Sequence, residues 1–166
     1  MSVLDEITFR QFEYEDVGAV WRLHEEALRA VATFDEVQED KDLLDIQANY
    51  IDNGGDFIVG LIDGEIVAMA GFRKLTETQA ELKRMRVKPE LQGQGIGAKL
   101  LNMIEKLAKA HGYTTITLDC SEQQEVANNL YKRNGYEEYK RAKSGTSKII
   151  CYRKDLNYFR QHDLDL

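Results

Sequence analysis

Apolar and polar residues alternate along several short runs of this chain and recur at a spacing of three to four residues along others. Alternation is typical of a β-strand with one buried face, whereas the wider spacing is typical of an amphipathic helix. The predicted strands are 7–12, 56–62, 65–74, 80–87, 114–120, 136–143 and 147–156. The predicted helices are 15–33, 40–52, 95–111 and 123–134. This order predicts an α/β fold, in which a mixed sheet of about seven strands is flanked by about four helices.

Two local patterns refine this prediction. The dipeptide at 63–64 is Asp-Gly between apolar runs, which is typical of a hairpin turn because both turn residues adopt positive φ. The run 80–87 breaks its own alternation, since Leu82 and Met85 are three residues apart while Met85 and Val87 are two apart. One extra residue in a strand shifts the phase of all that follow, so this irregularity predicts a β-bulge.

Length and composition favour one soluble domain. A chain of 166 residues is about one domain long, and we place the domain at 1–156 and a C-terminal tail at 157–166. The net charge of −7 argues against nucleic-acid binding, which depends on a basic surface. No apolar run approaches the ~18 residues of a membrane span, and no signal peptide is recognisable. Cys120 and Cys151 are therefore expected to be reduced core thiols, and the protein is expected to be cytoplasmic.

Charge is distributed unevenly along the chain. Residues 13–45 contain eleven acidic and three basic side chains, whereas residues 72–111 contain nine basic and four acidic ones. One interpretation is that these are solvated helix faces. The other is that an acidic and a basic surface meet at a functional site and attract ligands of opposite charge.

A glycine-rich segment between a predicted strand and a predicted helix carries the strongest chemical signal. Residues 92–98 read Gln-Gly-Gln-Gly-Ile-Gly-Ala. Closely spaced glycines let several backbone N–H groups point toward one ligand, and a helix N-terminus adds about half a positive charge. The segment therefore predicts a phosphate site. It is not a P-loop, because Gly97 is followed by Ala98 and Lys99 where that motif has Lys and then Ser or Thr.

A dinucleotide-binding loop is a second interpretation of the same segment. Gly93, Gly95 and Ala98 fit the pattern Gly-x-Gly-x-x-Gly/Ala, and Asp119 follows at a suitable distance. Two features count against it, since residues 88–92 separate the strand from the first glycine and only one β-α-β unit follows. A nicotinamide-dependent oxidoreductase stays open as an alternative at this point.

The segment also resembles the pyrophosphate loop of the GCN5-related N-acetyltransferase (GNAT) family. The resemblance is carried by Gln-x-x-Gly-x-Gly over 92–97, which follows Val87-x-Pro89. A second stretch, 127–136, reads Ala-Asn-Asn-Leu-Tyr-Lys-Arg-Asn-Gly-Tyr and is similar to the second signature of that family. The two signatures come in the family's order, and the match covers about 57–152.

The resemblance implies how acetyl-coenzyme A (acetyl-CoA) is bound. In this family two parallel strands, here 80–87 and 114–120, are splayed apart by a bulge, and the thioester lies between them. The phase slip in 80–87 lies where that bulge is expected. The acetyl-CoA-binding residues that the resemblance implies are Met85, Arg86, Val87, Gln92, Gly93, Gln94, Gly95, Ile96, Gly97, Ala98, Gln124 and Tyr131.

The implied reaction is transfer of an acetyl group to a primary amine by direct attack on the thioester. By resemblance, Tyr131 is the acid that protonates the departing thiol. The attacking amine must lose a proton, which a nearby carboxylate or a water relay accepts. Glu81, on the strand with the phase slip, is one candidate base, and Asp119, twelve residues before Tyr131, is the other.

The loop between the first two predicted helices bears on the acceptor, because in this family it forms one wall of the acceptor site. Its acids, within 34–42, predict a cationic small-molecule or peptide amine. The last predicted strand allows a homodimer across a two-fold axis. The scattered histidines and the cysteine spacing predict no metal site. A non-catalytic acyl-CoA sensor on the same fold is the alternative to an enzyme.

Overall fold

A computed structural model describes residues 2–30 and 41–157 of the chain. Its strands are β1 Thr8–Gln11, β2 Asp56–Ile62, β3 Glu65–Lys74, β4 Gln79–Val87, β5 Thr115–Ser121, β6 Glu137–Ser144 and β7 Ser147–Asp155. Its α-helices are α1 Val3–Glu6, α2 Val17–Ala30, α3 Ile96–Ala110 and α4 Glu125–Arg133. The strands form one sheet in the order β1-β2-β3-β4-β5-β7-β6, in which β4 and β5 are parallel and the other neighbours antiparallel. The predicted α/β fold with a seven-stranded mixed sheet is confirmed.

Helices cover both faces of the sheet. On one face, Ile104 of α3 and Tyr131 of α4 pack in one buried cluster with Ile116 of β5. On the other face, Val20 of α2 packs with Phe57 of β2 in a second cluster. We call these the α3/α4 face and the α2 face. Successive side chains of a strand point to opposite faces of the sheet. A residue that is adjacent on a strand to a member of one cluster therefore lies on the opposite face.

The helix predicted for 40–52 is not a continuous α-helix. The described part of this segment forms a 3₁₀ turn at Lys41–Leu44 and a π turn at Gln47–Ile51. The side-chain amide of Asn49 donates to the main-chain carbonyls four and seven residues earlier, at 2.8 and 3.2 Å. Such side-chain bonds compete with the regular helical ladder, which explains the irregular backbone.

The N-terminal elements also differ from the prediction. The helix expected at 15–33 begins with a 3₁₀ turn at Tyr14–Asp16, and its last three expected residues lie outside the described part of the chain. The short helix α1 has no counterpart in the predicted elements. Residues 158–166 of the predicted tail also lie outside the described residues.

Strands β4 and β5 separate after a short paired stretch. Residues 79–81 pair with 115–117, and beyond them no further pairing joins the two strands. Strand β4 also gains one residue relative to β3 between the partners of Met69 and Gly71. Arg84 lies in this bulge with a φ of 57°. The predicted bulge and the splay between the parallel strands are therefore confirmed.

Candidate functional site

The glycine-rich segment leads directly into helix α3. A 3₁₀ turn at Pro89–Leu91 follows β4, and Gly95 is the N-cap of α3 with a φ of 90°, which glycine adopts without strain. A Cβ atom on Gly97 would lie 2.9 Å from a methyl carbon of Leu130 on α4. The glycines thus allow the sharp turn and the close approach of α3 to α4.

The backbone amides at the start of α3 are not used in the hydrogen bonds of the helix. The first backbone hydrogen bond into the helix is from Lys99 to the carbonyl of Gly95, at 3.2 Å. Within the described residues, no backbone carbonyl accepts a hydrogen bond from the amides of 93–98. Consecutive amides at the positive end of a 15-residue helix are suited to bind an anion such as a pyrophosphate.

A cleft of about 420 Å³ opens where β4 and β5 diverge. It is walled by β4, β5, α4 and the β6–β7 hairpin. The side chains and backbone that line it come from Glu81, Leu82, Lys83, Arg84, Met85, Arg86, Leu118, Asp119, Cys120, Ser121, Gln124, Tyr131, Ser144, Gly145, Thr146, Ser147 and Ile149. The three predicted catalytic residues are therefore brought together in one cleft.

The predicted acid and the predicted bases reach this cleft from opposite faces of the sheet. Leu118 and Leu82 belong to the α3/α4 core. Their strand neighbours Asp119 and Glu81 therefore lie on the α2 face. Tyr131 belongs to the α3/α4 cluster. A group held in the gap would have the hydroxyl on one side and the carboxylates on the other.

Tyr131 is buried at the floor of the cleft, with 7% of its surface exposed. Its ring contacts those of Tyr136 and Tyr152, with centroids 5.8 and 5.9 Å away, and its hydroxyl lies 4.0 Å from the sulfur of Met85. Burial, more than any neighbouring charge, raises the pKa of its hydroxyl well above the ordinary value. Tyr131 therefore retains its proton at neutral pH and is able to donate it.

The two carboxylates have different surroundings. Glu81 accepts a hydrogen bond from Nε of Arg73 and forms an ion pair with Nη2 of the same side chain, and both nitrogens lie 3.1 Å from Oε1. Asp119 is exposed and lies opposite Cys151 of β7. Burial and then the neighbouring Asp119 raise the pKa of the Cys151 thiol to about 11, so Cys151 stays protonated. Glu81 is thus held in an ion pair, whereas Asp119 remains accessible to water.

A buried ion pair beside the cleft was not anticipated from the sequence. Asp42 accepts hydrogen bonds from Nε and Nη2 of Arg84, at 2.9 and 2.6 Å, and another from the hydroxyl of Tyr50. Burial alone raises the pKa of Asp42, but the bonds from Arg84 and Tyr50 outweigh it and lower the pKa to about 2. The pair joins the acidic segment 13–45 to the basic segment 72–111, and it fixes the bulge residue.

Several residues expected to bind acetyl-CoA through their backbone already share hydrogen bonds with one another. The carbonyl of Met85 accepts a bond from Nη1 of Arg86, at 3.1 Å, and the carbonyl of Val87 accepts one from Nε2 of Gln92, at 3.2 Å. The Gln92 side chain therefore ties the glycine loop to the end of β4. Gln124 lines the cleft as the N-cap of α4.

Comparison with known proteins agrees with this geometry. The family model described as "Acetyltransferase (GNAT) family" matches residues 18–136. The chain belongs to the GNAT family. A single parallel strand pair in the described sheet also distinguishes this GNAT fold from dinucleotide-binding folds, whose sheets are mostly parallel. The oxidoreductase interpretation is therefore wrong.

Individual relatives with curated descriptions are about a third identical to this chain over part of its length. The "Probable N-acetyltransferase camello" of Xenopus tropicalis is 32% identical over 101 residues, which are 59% of this chain and 46% of the relative. The chain spans about half the length of the curated relatives it matches.

Two solved structures show the same fold. A GNAT-family acetyltransferase of Staphylococcus aureus Mu50 has a TM-score of 0.84 at 22% identity, over 91% of this chain and 99% of that one. The acetyltransferase yncA of Salmonella typhimurium, solved with acetyl-CoA, has a TM-score of 0.73 at 20% identity, over 93% and 96% of the two chains. Within residues 2–30 and 41–157, no helix is long and apolar enough to cross a membrane.

Proposed function

We propose that this GNAT protein transfers an acetyl group from acetyl-CoA to a primary amine by direct attack. The observation that carries the proposal is the cleft between β4 and β5, whose lining residue Met85 contacts Gly97 at the start of α3. The backbone amides there suit the pyrophosphate of the coenzyme, and the gap between the strands suits its extended arm. The related fold of yncA was solved with acetyl-CoA, which supports the same ligand here.

The residues around the cleft suit both proton transfers of the reaction. The amine nitrogen bonds to the thioester carbon while the C–S bond breaks, and the sulfur takes the proton of the Tyr131 hydroxyl. Asp119 takes the proton that the attacking nitrogen loses. An acetylated amine and free coenzyme A result, and exchange of a proton through solvent restores both side chains. The acid and the base do not compete for one position because they lie on opposite faces.

The experiment that tests this proposal is release of the coenzyme A thiol from acetyl-CoA in the presence of a panel of primary amines. Mass spectrometry of the amines identifies the acetylated product. Thiol release that depends on an amine, with acetyl found on that amine, is the expected result. Tight binding of acetyl-CoA with no amine acetylated would instead favour the non-catalytic sensor.

The choice of base gives a specific prediction. We assign the role to Asp119 because its carboxylate is exposed and Arg73 already occupies that of Glu81. Asp119→Asn should lower kcat about 100-fold at pH 7, within the usual contribution of a general base. The deficit should shrink at higher pH, since an α-amine with a pKa of about 8 then loses its proton unaided.

The matched control for this prediction is Glu81→Gln, which removes the other carboxylate. It should lower kcat less than about ten-fold. Profiles of kcat from pH 6 to pH 10 for both variants separate the two assignments. A larger and pH-dependent loss in Glu81→Gln, with near-normal activity in Asp119→Asn, would reverse the roles.

The nature of the acceptor and the homodimer remain proposals. Of the acidic stretch expected to face the acceptor, residues 34–40 lie outside the described part of the chain, and Asp42 is bound to Arg84. We keep a cationic amine as the acceptor, because the carboxylates of Glu81 and Asp119 supply negative charge on the face from which it approaches. The expected cytoplasmic location stays a prediction.

A further inference from the structure

Lys83 is a residue of the cleft that this mechanism does not use. It lies two residues after Glu81 on β4, so both side chains are on the α2 face. Its cross-strand partner on β3 is Gly71, which brings no side chain of its own toward it. Lys83 is partly buried and lines the cleft. Lys83 therefore lies in the part of the cleft where the acceptor of the proposed reaction has to bind.

The two arginines near Lys83 each form an ion pair with a carboxylate. Arg73 pairs with Glu81 at 3.1 Å, and Arg84 pairs with Asp42 at 2.6 Å. Among the described residues, no carboxylate forms an ion pair with Lys83 itself. Burial, then Arg73 and Arg84, lower the pKa of its ammonium, and Glu81 and Asp42 only partly oppose this. A partly buried cation in such surroundings is stabilised by an anionic group.

We propose that Lys83 binds a carboxylate of the acceptor, so that the substrate is a primary amine carrying a carboxylate a few bonds away, as an amino acid does. This inference rests on the proposed transfer to an amine. Residues two apart on a strand are separated by about 7 Å, a distance that the flexible lysine side chain shortens. An amine held beside Glu81 and Asp119 thus leaves its carboxylate within reach of Lys83.

The same charges disfavour acceptors with several positive groups. A polyamine would place a second ammonium against Lys83, whose own ammonium already lies near the guanidinium groups of Arg73 and Arg84. Repulsion between like charges in a partly buried site weakens binding. An amino acid instead matches both ends of the site, with its ammonium toward Glu81 and Asp119 and its carboxylate toward Lys83.

The test compares common L-amino acids with their C-terminal amides as acceptors, using thiol release by the intact protein. The amide keeps the amine and the side chain and removes the negative charge. Because this also makes the amine less basic, kcat/KM is compared for the unprotonated amine of each acceptor. The amino acid should have a kcat/KM at least about ten-fold higher than its amide, which is the usual effect of a charge-assisted hydrogen bond. Lys83→Gln should raise KM for the amino acid about ten-fold or more, leave kcat within about three-fold, and abolish the preference over the amide.

Two further variants make the result specific. Lys83→Arg keeps the charge and should restore most of the preference for the carboxylate. Lys106→Gln removes an exposed lysine of α3 outside the cleft and should change neither KM nor kcat. Amides or polyamines acetylated as efficiently as amino acids would overturn this inference and leave the transfer reaction standing. If no amine of any kind were acetylated, the proposed function itself would fail.

Discussion

Replacing Tyr131 by phenylalanine should lower kcat about 100-fold while leaving the affinity for acetyl-CoA within about two-fold. The hydroxyl is the group proposed to protonate the departing sulfur, and such proton transfers contribute about 10² to 10⁴ in rate. Burial raises the pKa of this hydroxyl, so the proton is present throughout the physiological range. The phenylalanine ring keeps the contacts with the rings of Tyr136 and Tyr152, so the fold of the cleft is retained.

The matched control is Tyr136→Phe, in the same cluster of aromatic residues. The hydroxyl of Tyr136 donates to Glu105 at 3.2 Å and does not line the cleft. Its loss should reduce the free energy of unfolding by about 1 kcal/mol without affecting kcat. Steady-state kinetics and acetyl-CoA titrations of both variants check the prediction. A kcat for Tyr131→Phe within three-fold of the wild type would remove Tyr131 as the acid.

Replacing Asp42 by asparagine should destabilise the protein by about 3 kcal/mol or more. Both side chains of the Asp42–Arg84 pair are nearly buried, with 10% and 12% exposed. Removing one member of a buried ion pair typically costs about 3–5 kcal/mol, because the desolvated charge of the other loses its compensation. Arg84 also has a positive φ in the bulge, so the cleft should deform and acetyl-CoA should bind more weakly.

The stabilising effect of Asp42 should depend on pH in a defined direction. Its pKa is lowered from 3.8 to about 2 in the folded protein, so the stabilisation is complete above pH 3.8 and disappears as pH falls through 2. The difference in unfolding free energy between wild type and Asp42→Asn should therefore be constant from pH 7 to about pH 5 and decrease below pH 4. Urea denaturation at each pH measures it.

Asp45→Asn is the control for this substitution. Asp45 is exposed and accepts a hydrogen bond from the backbone amide of Ala48 at 3.0 Å. Its replacement should cost about 1 kcal/mol or less. Equal losses in the two variants would show that the ion pair with Arg84 contributes nothing particular to stability.

The conformation of the glycine-rich segment and the splay of the strands were predictable because their signals are local. The glycines at 93, 95 and 97 determine backbone conformation directly, and the phase slip at Met85 records an extra residue in β4. Each signal occupies a few consecutive positions. The conformational preferences of adjacent residues are therefore enough to predict both features.

Other parts of the site depend on contacts between distant segments. The bond between Asp42 and Arg84 joins residues 42 positions apart, and that between Arg73 and Glu81 depends on the register of β3 with β4. The charge counts showed that the chain has an acidic and a basic segment. They did not show which acidic side chain forms an ion pair with which basic one. The irregular turns at 41–51 likewise follow from side-chain bonds that a spacing of apolar residues does not reveal.

Isothermal titration of acetyl-CoA is the most direct test of the account, because every proposed role depends on the loop at the start of α3. Gly93→Val and Gly64→Val are matched variants, since both glycines have a φ of 79° and open space where a Cβ would lie. Both substitutions should destabilise the protein to a similar extent through backbone strain. Only Gly93→Val lies in the loop and should weaken acetyl-CoA binding, by about ten-fold or more.

The account predicts that the wild-type protein binds one acetyl-CoA per chain and binds neither NADH nor NADPH. It also predicts that Gly64→Val binds acetyl-CoA like the wild type. Failure of acetyl-CoA to bind the wild-type protein, or equal weakening of its binding in the two glycine variants, would contradict the assignment of the loop and with it the proposed function.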